Sequence, residues 1–106
     1  EVEFFRSMMP ADYPNRACAR IIVRGDKYRP ITYAREITCP VLLQICENDK
    51  LLPRAAMEET AKILGTKAEV KRYPIGHFDI YRGRHFDRAV ADQIAFFKEH
   101  LDMSNP

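Results

Sequence analysis

The run Val41-Leu42-Leu43-Gln44-Ile45-Cys46 is near-continuously apolar, opened by Pro40 and followed at once by Glu47-Asn48-Asp49. A strand with one wet face alternates apolar and polar residues. A run without that alternation has the pattern of a strand covered on both faces, as in a parallel sheet. Pro40 cannot donate to a ladder and so marks the mouth of the strand. Ala68-Glu69-Val70-Lys71-Arg72-Tyr73 alternates more, as an edge strand does. Between the two lies a helix over about Arg54 to Leu64, with Pro53 at its start and Gly65 at its end. A strand-helix-strand of this length predicts a right-handed crossover between parallel strands.

The remaining segments extend this frame. Residues 1–10 read as the tail of an element, apolar at Val2, Phe4, Phe5, Met8 and Met9 and stopped by Pro10. Asp12-Tyr13-Pro14 carries a capping residue and an early-turn proline, which predicts a helix from about residue 13 to Arg24, ended by Gly25. A short helical turn is expected around Tyr33 to Glu36. A last helix is expected from about Arg84 to Leu101, with Phe86, Ala89, Val90, Ile94, Phe97 and Leu101 on one stripe at helical spacing. The fold class is therefore α/β: a helical lead-in over 1–36, then strand, helix, strand, helix over 37–106, within one domain. Two parallel strands are too few for a sheet with both faces covered. The sheet is expected to continue, in further sequence or in a second copy, and the uncovered edge raises a homodimer as one way to complete it.

Composition narrows the classes of function. The chain has 106 residues, 46% of them apolar, and a net charge of +2. That is enough apolar residue for a core, and the charge is too mild and too interleaved for a nucleic-acid surface. Arg16, Arg20 and Arg24 fall four apart, which on a helix reads as a solvated basic stripe. No apolar run approaches the roughly 18 residues of a membrane span, and no signal-peptide pattern is visible. Cys18, Cys39 and Cys46 form no Cys-x-x-Cys and cannot all pair. Their number fits a reducing, cytoplasmic setting better than a disulfide framework. No cofactor motif and no metal-ligand spacing stands out; His77, Asp79 and His85 form a weak metal candidate in a loop.

The chemistry lies just past the two strands. Open parallel sheets place their ligand sites beyond the carboxyl ends of the strands, and Asp49 and His77 both fall there. Neighbouring strands would bring the two loops out on one rim. Asp49 would then accept a hydrogen bond from the Nδ1–H of His77 and stabilise the imidazolium formed when Nε2 takes a proton from a serine. An unperturbed imidazole titrates near pH ~6.5, so it both accepts and returns that proton at neutral pH. Gly76 removes side-chain bulk beside the ring and permits backbone angles closed to other residues. The nucleophile is missing. Ser7 and Ser104 are the only serines, and neither sits in a Gly-x-Ser-x-Gly elbow. Cys46, inside an apolar strand without a cationic neighbour, is a poor nucleophile.

Residues from roughly Tyr28 to Leu101 resemble the C-terminal part of an α/β-hydrolase. The resemblance rests on Ile37-x-Cys39-Pro40-Val41-Leu42 leading into a strand, then Glu47-Asn48-Asp49-x-x-x-Pro53, then Tyr73-Pro74-x-Gly76-His77-Phe78. A closing helix with Phe96-Phe97 completes it. Acid first and histidine second is the chain order of that fold. The resemblance implies Asp49 as catalytic acid and His77 as catalytic base, with a Ser-His-Asp triad completed from outside this chain. It implies a hydrolase of esterase-like or peptidase-like kind, acting on a small-molecule ester, amide or related acyl bond. Residues 1–27 would correspond to the end of the lid region. The isolated fragment is expected to be inactive. The competing expectation is a non-catalytic α/β module that pairs through its uncovered strand.

Overall fold

The computed structural model describes residues 2–14 and 16–101 of the chain. The architecture is mixed α/β. Helices α1 (Val2–Met8) and α2 (Arg20–Arg24) lead in, followed by 3-10 turns at Gly25–Lys27 and Pro30–Glu36. Strand β1 (Val41–Cys46), helix α3 (Arg54–Leu64), strand β2 (Ala68–Tyr73) and helix α4 (Gly83–His100) then alternate. The two strands pair in parallel, in register from Val41 opposite Ala68 to Cys46 opposite Tyr73.

Helix α3 makes this pairing possible by carrying the chain back to the start of the sheet. Its sequence is rich in Ala, Met, Glu, Lys and Leu, which lose little side-chain freedom in a helix. Gly65 stops it: φ is 58° there, and its amide donates to the Ala61 carbonyl. A left-handed φ at a helix end is where glycine is favoured.

The pleat then sorts side chains onto two faces. On one, Gln44 and Tyr73 face α4. Gln44 Nε2 donates to the Tyr73 hydroxyl oxygen and to the Ala89 carbonyl, each at 2.9 Å. The Tyr73 hydroxyl in turn donates to Asp92 at 2.6 Å, and Gln93 Nε2 donates to Gln44 Oε1 at 2.6 Å. Burial, the Asp92 carboxylate and its charge push the Tyr73 phenol up to about 12, although the Gln44 bond opposes this. Tyr73, Ile75 and Ala89 form the buried cluster on this face, with Cys46 and Ile80 packed against it. On the other face Arg72 forms a two-bond ion pair with Glu58 of α3. Ile45, Leu64 and Ala34 are also buried.

Two expectations are corrected. The helix expected from residue 13 begins only at Arg20. Pro14 pushes the residue before it away from helical angles, and the Arg16 amide folds back onto the Pro14 carbonyl at 2.7 Å. Arg16 therefore stands outside α2, and the three-arginine stripe does not form. The apolar stripe of α4 is buried only in part, at Ala89 and, to a lesser degree, Val90. Ala89 and Phe96 are buried, whereas Phe86, Ile94, Phe97 and Leu101 are exposed. Ala89 packs with Tyr73 and Ile75, but the exposed residues of the stripe have no layer to pack against among the described residues. Ile21, Ile22, Val23, Tyr28 and Tyr33 of the lead-in are exposed as well. The radius of gyration is 16.6 Å, against about 13 Å for a compact chain of 100 residues.

Packing predicts unequal costs for truncation. Ile45→Ala removes a side chain that is 1% exposed, and urea unfolding should show a loss of about 2–5 kcal/mol. Ile94→Ala, on the open stripe of α4, should change stability by no more than about 0.5 kcal/mol.

Candidate active site

The pairing of β1 and β2 continues into the loops that leave them. The Glu47 amide donates to the Tyr73 carbonyl at 2.8 Å, and the Asn48 amide to the Ile75 carbonyl at 3.0 Å. The Asp49 amide turns back to the Cys46 carbonyl at 3.2 Å. Two irregular segments are thereby held side by side at the carboxyl ends of the strands, where Asp49 and His77 were expected.

The structure brings those two residues together. His77 Nδ1 lies 2.7 Å from Asp49 Oδ2. The other carboxylate oxygen, Oδ1, accepts from the Leu51 amide at 2.7 Å and the Leu52 amide at 2.9 Å. One oxygen is thus fixed by the backbone and the other is aimed at the ring. An ionised carboxylate only accepts, so Nδ1 is the donor, and in the neutral imidazole Nε2 is left as an acceptor. The Asp49 side chain is 10% exposed and that of His77 24%. The acid is shielded from competing water while the ring remains reachable. Phe78 stands edge-on to the ring at 4.7 Å between centroids.

Electrostatics favour the charged acid. Partial burial alone would raise the Asp49 carboxyl. The Leu52 amide, the His77 side chain and the Leu51 amide outweigh it, and the carboxyl is held below its ordinary value. Burial pushes the neighbouring Cys46 thiol the other way, upward, and the charges of Asp49 and Asp79 add to that. A raised thiol is protonated at neutral pH and makes a poor nucleophile.

A groove of about 440 Å³ lies against the pair, with Gln44, Cys46, Asp49, Met57, His77 and Phe86 in its lining. Consecutive residues of β1, Gln44, Ile45 and Cys46, all border it. Neighbours that point to opposite faces border the same space only along a strand's edge. The groove therefore follows the open edge of β1.

Other candidates fall differently. His77, Asp79 and His85 do not converge on one point. Among the described residues, the donors that do gather are Glu69, Glu99 and His100, within 4.8 Å of one another. Glu69 is already ion-paired with Lys71 at 3.0 Å, and the His100 ring packs edge-on to Phe96 at 4.5 Å. Ser7 lies in α1, and Ser104 lies outside the described residues. Gly76 does not have the unusual backbone expected of it. Positive φ among the described residues is confined to Gly65 and Gly83. The Gly76 amide is instead engaged with the side chain of Asp79. No helix is long and apolar enough to cross a membrane, among the described residues.

Sequence reasoning missed the Leu51 and Leu52 amides, which carry no side-chain signal. It also missed the Gln44–Tyr73–Asp92 network, for which Gln44, the one polar residue in an apolar run, was the available sign.

The fold and site together define a mixed α/β unit that presents an acid–histidine pair at the carboxyl ends of two parallel strands. No protein-family model matches the chain, and no solved structure matches it at a significant level. It is 34% identical over 96 residues to the quorum-quenching protein AidA of Acinetobacter baumannii (strain MDR-ZJ06), covering 89% of this chain and 31% of that protein. It is 35% identical over 79 residues to an uncharacterized 31.7 kDa protein of the traX-finO intergenic region of Escherichia coli, covering 71% of this chain and 27% of that protein. The chain thus spans less than a third of the length of the curated relatives it matches.

The depressed Asp49 carboxyl has a consequence for stability at low pH. Its folded value lies below its unfolded one, near ~3.9, so the unfolded chain takes up the proton first as pH falls. The stability it contributes is present above that pH and is lost as pH falls through the folded value. The difference in unfolding free energy between the wild type and Asp49→Asn should shrink as pH falls below about 4. Glu58, drawn down to about 2 chiefly by its hydrogen bond to Arg72, titrates alike in both proteins and cancels. Urea titrations of the pair across pH 3–7 provide the check.

Proposed function

We propose that this chain supplies the acid and the base of a serine hydrolase with an α/β-hydrolase fold, whose nucleophile lies outside these 106 residues. The observation that carries the proposal is the 2.7 Å approach of Asp49 Oδ2 to His77 Nδ1 at the carboxyl ends of two parallel strands. The order of the residues supports it too, acid before histidine, each in the loop that follows its strand.

In this reading Nε2 of His77 accepts the hydroxyl proton of the serine as its oxygen attacks the acyl carbon. Asp49 stays ionised, holds the Nδ1 proton in place and offsets the charge of the imidazolium. The proton then passes from Nε2 to the leaving alcohol or amine, which departs and leaves an acyl-enzyme. Water attacks that ester by the same path, giving the acid and restoring the serine. The substrate is a small molecule with an ester, amide or related acyl bond. We place the reaction in the cytoplasm, on the strength of three unpaired cysteines and no disulfide framework. The A. baumannii relative is named for quorum quenching, and we extend that role to the parent of this chain as the process its hydrolysis serves.

A protein of the relatives' length that contains this segment tests the assignment. His77→Ala and Asp49→Asn should each lower kcat by roughly 10³–10⁴, with the circular-dichroism spectrum unchanged. Near wild-type turnover in either variant refutes it. The 106-residue chain alone should cleave p-nitrophenyl acetate no faster than buffer.

A second reading, a non-catalytic module that pairs through β1, is favoured by the open edge of that strand, whose one sheet neighbour among the described residues is β2. Light scattering on the isolated chain separates the two. A stable dimer that buries the β1 edge supports the module.

A further inference from the structure

The turn that carries His77 is closed from both sides by one residue. The Asp79 amide donates to the Gly76 carbonyl at 3.2 Å, and the Gly76 amide donates to Asp79 Oδ2 at 2.9 Å. His77 and Phe78 are held inside this ring of reciprocal bonds. The arrangement has the logic of a capping box, in which a residue three positions on reaches back to an orphan amide at the start of a turn. Asp79 Oδ1 lies 3.7 Å from Arg82, an exposed pair of small energetic weight.

The turn sits where the frame changes character. Up to Ile75 the histidine loop is tied to the acid loop by backbone bonds, the last of them from the Asn48 amide to the Ile75 carbonyl. From Gly76 onward, the direction of the His77 side chain depends on the turn itself. A small rotation there swings the ring away from Asp49, and displacement of a catalytic group by about 1 Å is enough to cost around 10²-fold in rate.

We propose that Asp79 is a positioning residue for His77: its carboxylate locks the Gly76–Asp79 turn and so keeps Nδ1 in register with Asp49. The proposal rests on the reading of His77 as the base, but its test does not use catalysis. In this role Asp79 needs an acceptor oxygen at Oδ2 and not a charge. Asp79→Asn retains such an oxygen, whereas Asp79→Ala lacks it.

The experiment is nuclear magnetic resonance on the 106-residue chain with ¹⁵N-labelled histidine and backbone. The readout is solvent exchange of the His77 Nδ1 proton at neutral pH. In Asp79→Ala that exchange should speed up by roughly tenfold, the effect of removing one hydrogen bond of ordinary strength, while the β1 and β2 amides keep their shifts. In Asp79→Asn it should stay within about twofold of wild type, because the acceptor is retained. A residue acting only on global stability would change the exchange of the strand amides together with that of the ring proton. Unchanged Nδ1 exchange in a folded Asp79→Ala protein overturns the proposal.

Should Asp79→Ala fail to fold, the wild-type protein alone decides. The Gly76 amide and the His77 Nδ1 proton should show protection within about threefold of each other, since one opening exposes both. A Gly76 amide exchanging far faster than a protected ring proton refutes the lock. The outcomes are separable from the hydrolase reading. The lock is refuted with the Asp49–His77 bond intact, whereas the hydrolase reading falls on undiminished turnover in His77→Ala.

Discussion

Parallel pairing of β1 with β2 is the constraint from which the site follows. With Cys46 opposite Tyr73, both strands end at the same rim, and the acid three residues on meets the histidine four residues on. Antiparallel pairing of the same strands would send the two loops out at opposite ends, about 17–20 Å apart for strands of this length. No side-chain choice would recover the contact across that gap. The apolar character of β1 and the helix-forming sequence of α3 therefore act at a distance on the chemistry: they decide the sense of the pairing.

Within that frame, the acid–histidine bond is maintained by the backbone more than by its own attraction. An ion pair near the surface contributes about 0–1 kcal/mol, too little to organise two loops. The amides of Glu47, Asn48, Leu51 and Leu52 do the organising, each with a carbonyl or carboxylate partner at 2.7–3.0 Å. The Gln44–Tyr73–Asp92 network clamps α4 to the sheet just below the histidine loop. The bonds from Gln44 to Tyr73 and from Tyr73 to Asp92 are part-buried and weigh more than the exposed pairs of Arg54, Arg72 and Lys71 with their glutamates.

Much of this was legible in the chain because it is written locally. Pro40, Gly65 and the apolar runs delimit β1, α3 and β2 without reference to anything distant, and the structure has them at Val41–Cys46, Arg54–Leu64 and Ala68–Tyr73. Asp49 and His77 were legible for the same reason, since each follows its strand directly. Failures came where a local sign has two meanings. Pro14 can open a helix or end an extended segment, and here α2 waits until Arg20. The stripe of α4 was visible at helical spacing, but periodicity cannot say whether a neighbour exists to cover it. Phe86, Ile94, Phe97 and Leu101 are 45–54% exposed. The link from Gln44 to Tyr73 and Asp92 spans up to 48 positions of sequence and leaves no periodic trace. Gly76 looked like a residue chosen for its angles, whereas its engagement is through its amide.

Asp49 and His77 are only 28 positions apart, and every group that frames them lies between Gln44 and Gln93. Closing a loop of that length costs roughly 3 kcal/mol of chain entropy, growing only as the logarithm of length. Acid and base therefore travel as one short stretch of gene. A single recombination event spanning that stretch transfers the pair with its scaffolding intact.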